Sequence, residues 1–185
     1  MTSKIKVNIL ADGGDNSIIT SDGAGSFTAS SSLASSVQSV GEIQNTPSFG
    51  AQQSGSQSIS DNAWVKLQCN TENWDTDSAY DNSTNYRFTV PSGKGGKYYL
   101  QGHFQIPGID ANELASITFH KNGSEVGQAN VREQKASADR IAQLSCVWTG
   151  SLAVGDYIEV YVYQNSGDAQ NATNGYFTGH KLIGV

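Results

Sequence analysis

The sequence predicts an all-β chain: a sandwich, barrel or jelly roll carried behind an extended N-terminal arm. Three observations predict it. Only 15% of the 185 residues are charged, against about 25% in a typical soluble domain. Ser, Gly, Asn, Thr and Gln fill the gap, which suits strands and turns rather than exposed helices built from Glu, Lys, Arg and Ala. Roughly eight or more short segments alternate apolar and polar residues with a period of two. Turn residues punctuate those segments at short intervals.

The elements follow in order. Lys4 to Leu10 alternates, with Ile5, Val7 and Ile9 on one face and Lys4, Lys6 and Asn8 on the other, which predicts a strand. Between Val7 and Val65 there is no Lys or Arg, and residues 21–46 are rich in Ser, Ala and Gly. That stretch cannot bury much apolar surface by itself. Residues 1–46 therefore read as an arm ordered by lying on another surface, and residues 47–185 as the domain. Trp64 to Cys69 is the domain's first clear strand, with Val65, Leu67 and Cys69 on one face. Tyr86 to Val90 and Lys97 to Ile106 come next. Ser116 to His120 runs into Asn122-Gly123, a pair that accepts the positive φ of a type I′ hairpin turn. Gly127 to Glu133, Arg140 to Trp148, Asp156 to Gln164 and Gly175 to Val185 complete the set. Within Asp156 to Tyr163, Ile158, Val160 and Val162 share one face, and Tyr157, Tyr161 and Tyr163 the other. One helix-compatible stretch, Arg132 to Ala142, is too short and polar to change the class.

Charge narrows the partners. Eleven Lys and Arg stand against seventeen Asp and Glu, a net charge of -6. That sign repels phosphate and argues against nucleic acid and a polybasic membrane anchor. No run of about 18 apolar residues occurs, so no membrane span is expected. No continuous apolar segment follows Lys4 and Lys6, so no export signal is expected either. Cys69 and Cys146 stand 77 positions apart without a CxxC partner. They are expected to be reduced and buried, since free Cys packs as a small hydrophobe.

Catalytic motifs are absent: there is no HExxH, GxSxG, P-loop or GxGxxG, and the sequence implies no enzyme and no cofactor. Cys146 alternates with Ala142, Leu144 and Trp148, which places it inside rather than beside a histidine as a nucleophile. The acidic stretch from Glu72 to Asn82 is the one metal candidate. Asp75, Asp77 and Asp81 offer hard oxygens for Ca²⁺, against the alternative of a loop rich in Asx turns. Tyr157, Tyr161 and Tyr163 are candidate ligand contacts for a glycan or peptide, or cover for a strand face.

Six motifs in order carry a resemblance. They are Asp75 with Tyr80-Asp81, Phe88-Thr-Val-Pro91, Gly96-Lys-Tyr98-Tyr99, Phe119-His-Lys-Asn122-Gly123, Leu152-Ala-Val-Gly155-Asp156, and Phe177-Thr-Gly179 followed by Leu182. Together they resemble the C1q/tumour-necrosis-factor jelly-roll family over residues 47–185. Leu100 and Gly102 depart from it, standing where the family favours aromatics. The resemblance implies a homotrimer packed through one sheet of each jelly roll, with Tyr98, Tyr99, His103, Phe104, Tyr176, Phe177 and His180 at the subunit seam. The opening Ser3-Lys4-Ile5-Lys6-Val7 is similar to the openings of many tailed-bacteriophage structural proteins. It implies a virion location, with Lys4, Ile5, Lys6, Val7, Ile9 and Leu10 as the docking strand of a capsid decoration or head-fibre protein. The alternatives are a receptor-binding tail tip that recognises a host glycan or protein, and a cellular C1q-like binding module.

Overall fold

The computed structural model describes residues 9–11, 13–14, 16–21, 24, 27–30, 45–136 and 140–182. The chain divides into two compact units, Met1–Gln44 and Asn45–Val185. In the first, β1 (Ile9–Ala11), β2 (Ser17–Ser21) and β3 (Phe27–Ala29) form an antiparallel sheet in that order. Ile9 pairs with Thr20 and Leu10 with Ile19. Within the stretch read as an arm, the described part folds back on itself. The reason is local, since Gly13-Gly14 turns the chain and the β-branched Ile18-Ile19-Thr20 supplies a second strand. Of the docking-strand candidates, Lys4, Ile5, Lys6 and Val7 lie outside the described residues.

The second unit contains β4 (Ser48–Gln52), β5 (Gln57–Ile59), β6 (Val65–Lys66), β7 (Thr71–Asp75), β8 (Tyr80–Asp81), β9 (Arg87–Thr89), β10 (Gly96–Ile109), β11 (Leu114–Lys121), β12 (Ser124–Glu125), β13 (Val131–Gln134), β14 (Arg140–Leu152), β15 (Tyr157–Gln164) and β16 (Gln170–Lys181). Among the described residues the one helical element is a 3₁₀ turn, Gly127–Ala129. One sheet runs β14-β10-β16-β4-β7, with β5 also on β16. The other runs β12-β11-β15-β9-β8, with β13 on β11 and β6 on β15.

The core lies between the two sheets. Phe49 stacks on Phe88 at 4.7 Å and meets Phe177 edge-on at 4.9 Å, offset arrangements that suit the ring quadrupole. Along β10 the alternation is strict: Tyr98, Leu100, Gly102, Phe104 and Ile106 point inward, and Tyr99, Gln101, His103 and Gln105 outward. The two departures from the family pattern therefore concern the core. A Cβ on Gly102 would meet Cys146 Sγ at 3.2 Å and Phe119 at 3.4 Å, so a ring from the facing sheet fills the space an aromatic would take.

Three local readings change. Of Trp64 to Cys69 only Val65–Lys66 is strand, although the Leu67 N–H still donates to Val160 O at 2.9 Å and Leu67 and Cys69 turn inward. Thr71–Asp75, within the stretch read as an acidic loop, is an edge strand on β4. The helix-compatible stretch contributes β13 and the start of β14.

Candidate functional site

The outward face of β14-β10-β16-β4 is broad, and its middle rows are uncharged, with Lys97 the charged residue at the β10 end. Across its rows Thr149, Tyr99, His180 and Ser48 are register partners, then Val147, Gln101, Thr178 and Gly50, then Ser145, His103, Tyr176 and Gln52. None of these is Lys, Arg, Asp or Glu. Tyr99 stacks on His180 at 5.4 Å, and His103 Nδ1 lies 2.9 Å from Ser145 Oγ. Val147 is 46% exposed and Trp74, lying over Gly50, is 44% exposed.

Four of the seven residues expected at the subunit seam, Tyr99, His103, Tyr176 and His180, stand together on this face. The other three are corrected. Tyr98 and Phe104 are fully buried and Phe177 is 1% exposed, all inside a single copy. The period of two sends neighbouring residues to opposite faces, so a run of aromatics in sequence divides between core and surface. Tyr98 is held further by its hydroxyl, which donates to Lys94 O at 2.6 Å, and burial pushes that phenol up to about 12.

The outward face of the other sheet carries the three candidate ligand tyrosines, which do not form one group. The Arg87 guanidinium covers Tyr157, its Cζ 4.2 Å from the ring centre. Tyr161 stacks on His120 at 4.0 Å. Tyr163 lies 5.4 Å from Trp64 and donates its hydroxyl to Asn62 Oδ1 at 2.8 Å. Between them the buried Glu159 carboxylate meets Lys66 Nζ at 2.5 Å. Burial pushes His120 below the usual imidazole value, with Glu125 and Glu159 opposing. Trp64, Leu114, Ser116, Arg132 and Tyr163 line a shallow cleft of about 220 Å³. Sequence reasoning missed Trp64, His120 and Arg132 here. Trp64 carried a signal, since it stands opposite the inward Val65 and Leu67, but nothing in the sequence places β6 beside β15.

The acidic stretch does not converge on a metal. Asp75 accepts from the Asp77 N–H at 3.2 Å and the Tyr80 N–H at 2.7 Å, and Asp77 pairs with Lys94 at 3.3 Å. Asp81 accepts from the backbone N–H groups of Ser83, Thr84 and Asn85, which hold its carboxyl far below the usual range. Asp75 and Asp81 each close a turn, and Asp77 is taken by Lys94 and the Thr76 hydroxyl. Among the described residues no group of three or more His, Cys, Asp or Glu could hold a metal ion.

The two cysteines are not placed as nucleophiles. Cys69 and Cys146 are free and buried, and burial pushes both thiols up to about 12. A thiol so placed stays protonated and unreactive.

No family model matches the chain, and no curated protein matches it in sequence. Solved structures do. The globular domain of zebrafish complement 1qA protein aligns with a TM-score of 0.54 at 14% identity, covering 75% of this chain and 98% of that one. The Eiger TNF of S. frugiperda aligns at a TM-score of 0.49 and 16% identity, covering 75% and 92%. Its two antiparallel sheets and the likeness to the complement domain give this chain a C1q/TNF-like jelly-roll fold.

Proposed function

We propose that the chain is a non-enzymatic structural and binding module that works as a homotrimer. Its three jelly rolls pack through the outward face of β14-β10-β16-β4. The observation that carries this is the absence of charge across the rows centred on Gln101 and His103, on a face bearing half-buried Tyr99 and Tyr176 and exposed Val147. Depletion of charge with enrichment of Tyr is the composition of an interface core, and a monomer has no physical need of it. Light scattering on the full chain should give three times 19.6 kDa. His103→Glu, which brings carboxylates together around the axis, should give a folded monomer. A wild-type monomer would sink the reading.

Our finer reading places this trimer on a bacteriophage particle as a capsid decoration or head-fibre protein, held by residues 1–46. It rests on the Ser3-Lys4-Ile5-Lys6-Val7 opening, the arm's composition, and the outward exposure of Ile9, Leu10 and Phe27 (52%, 54% and 70%). Three arms on one trimer would bind together, so weak docking by each becomes strong by effective concentration. Antibody labelling of purified particles tests it. Many copies over the head support decoration. A few at the tail favour a receptor-binding tip instead, and none on any particle removes the virion location.

A further inference from the structure

The cleft on the second sheet lies on the far side of the sandwich from the proposed trimer seam and stays open in such a trimer. Its wall is aromatic: Trp64 and Tyr163 stand 5.4 Å apart with their planes tilted by 45°, and the stacked pair His120 and Tyr161 continues the surface, Trp64 lying 6.5 Å from His120. Either ring of such a tilted pair can offer an apolar face to the C–H face of a sugar ring, while the open side of the cleft leaves that ring's edge in water.

The polar edge has one charged donor, the Arg132 guanidinium, next to the Ser116 oxygen. Arg132, exposed on β13 beside Ser116, spends its Nε on Asn130 Oδ1 at 3.1 Å, and its Nη groups form no ion pair among the described residues. The Ser116 hydroxyl proton is committed to Asn130 Oδ1 at 3.1 Å or Val131 O at 2.9 Å. Among the described residues no carboxylate lines the cleft, and Glu125 accepts from Asn130 Nδ2. A neutral sugar offers the guanidinium only uncharged hydroxyl oxygens. A carboxylate is acceptor-only and matches a guanidinium edge, which can grip it with two parallel N–H bonds. A volume of about 220 Å³ admits one ring rather than a peptide or drug-sized ligand.

We propose that this cleft binds the carboxylate-bearing pyranose of an acidic glycan, its C–H face on Trp64 and Tyr163 and its carboxylate on Arg132. This recognition stands whether the trimer sits on a particle or a cell, and its failure would leave the oligomeric mass untouched.

The test is titration of the full chain with methyl β-D-glucuronide, the methyl glycoside of N-acetylneuraminic acid, methyl β-D-glucoside and acetate. Heat and the NMR shift of the Trp64 indole N–H are the readouts. At least one acidic sugar should saturate and move the Trp64 signal. Methyl glucoside and acetate should each bind about tenfold more weakly or not at all. Arg132→Gln should weaken acidic-sugar binding about tenfold with an unchanged melting temperature, because that side chain is exposed. Saturation by neither acidic sugar, equal binding of glucoside or acetate, or wild-type affinity in Arg132→Gln overturns the proposal. Trp64→Ala should abolish binding; should it fail to fold, the Arg132 variant and the indole shift still decide.

Discussion

At the residue scale, small groups decide what neighbours are allowed. Gly179 faces the core, and a Cβ there would lie 2.3 Å from Leu100 Cδ2 and 3.0 Å from the Tyr99 carbonyl oxygen. Gly179→Ala should cost about 1–3 kcal/mol by overpacking. Gly127, with nothing within 4 Å of its Cβ direction, should accept Ala within about 0.5 kcal/mol. Urea unfolding of the two variants checks both. Asp156 is the corresponding polar case. Its carboxylate accepts from Lys121 Nζ at 2.8 Å, Asn122 Nδ2 at 2.7 Å and the Ala153 N–H at 2.8 Å, which hold it down at about 2. Because the folded value is depressed, its contribution is present above about pH 4 and is lost as pH falls through about 2. Asp156→Ala should lose about 1–2 kcal/mol at pH 7. The gap to wild type should close in urea titrations taken down to pH 2, and a gap independent of pH would contradict this account.

At the element scale, the Asn122-Gly123 hairpin shows how far a local signal reaches. Both residues have positive φ, 51° and 80°, as a type I′ turn demands, and Lys121 pairs with Ser124 across it. That much was legible in two adjacent residues. The Asn122 side chain also accepts from the Tyr157 N–H at 2.9 Å and donates to Asp156, tying this turn to the one before β15. Asn122→Ala should therefore cost about 1–3 kcal/mol, more than the turn preference alone. Asn122→Asp, which keeps an acceptor but faces Asp156, should recover little of it. Recovery to wild-type stability in thermal melts would contradict the second link. Thr71–Asp75 is the opposite case. Its polar composition reads as a loop, and it is a strand because β4 offers an unpaired edge and Trp74 covers Gly50.

At the scale of the whole molecule, the two sheets have different outward faces. One carries no charge across its middle rows; the other is a tilted aromatic surface edged by Arg132, Arg87 and Lys66. If the first is an assembly face, unfolding is linked to association. The melting temperature should then rise with protein concentration in scanning calorimetry for wild type, and stay constant for His103→Glu. A concentration-independent wild-type transition at micromolar protein would contradict the linkage.

The sequence by itself determined the all-β class, most of the long strands, the inward cysteines and the hairpin turn. Each rests on a period of two or on a single pair's backbone freedom, which are properties of neighbouring residues. It also led toward four residues of the candidate seam, Tyr99, His103, Tyr176 and His180, but it mixed them with Tyr98, Phe104 and Phe177, because aromatic richness does not say which phase of the alternation meets the facing sheet. Only the tertiary structure decided that phase. It alone set Trp64 beside Tyr163 and Ser116 beside Arg132, and gave Asp75 and Asp81 to separate turns and Asp77 to Lys94. The physical reason is that Trp64 and Tyr163 are distant along the chain, as are Ser116 and Arg132. What joins them is strand pairing between β6 and β15 and between β11 and β13, which is settled by the packing of the whole sandwich and leaves no mark at either position.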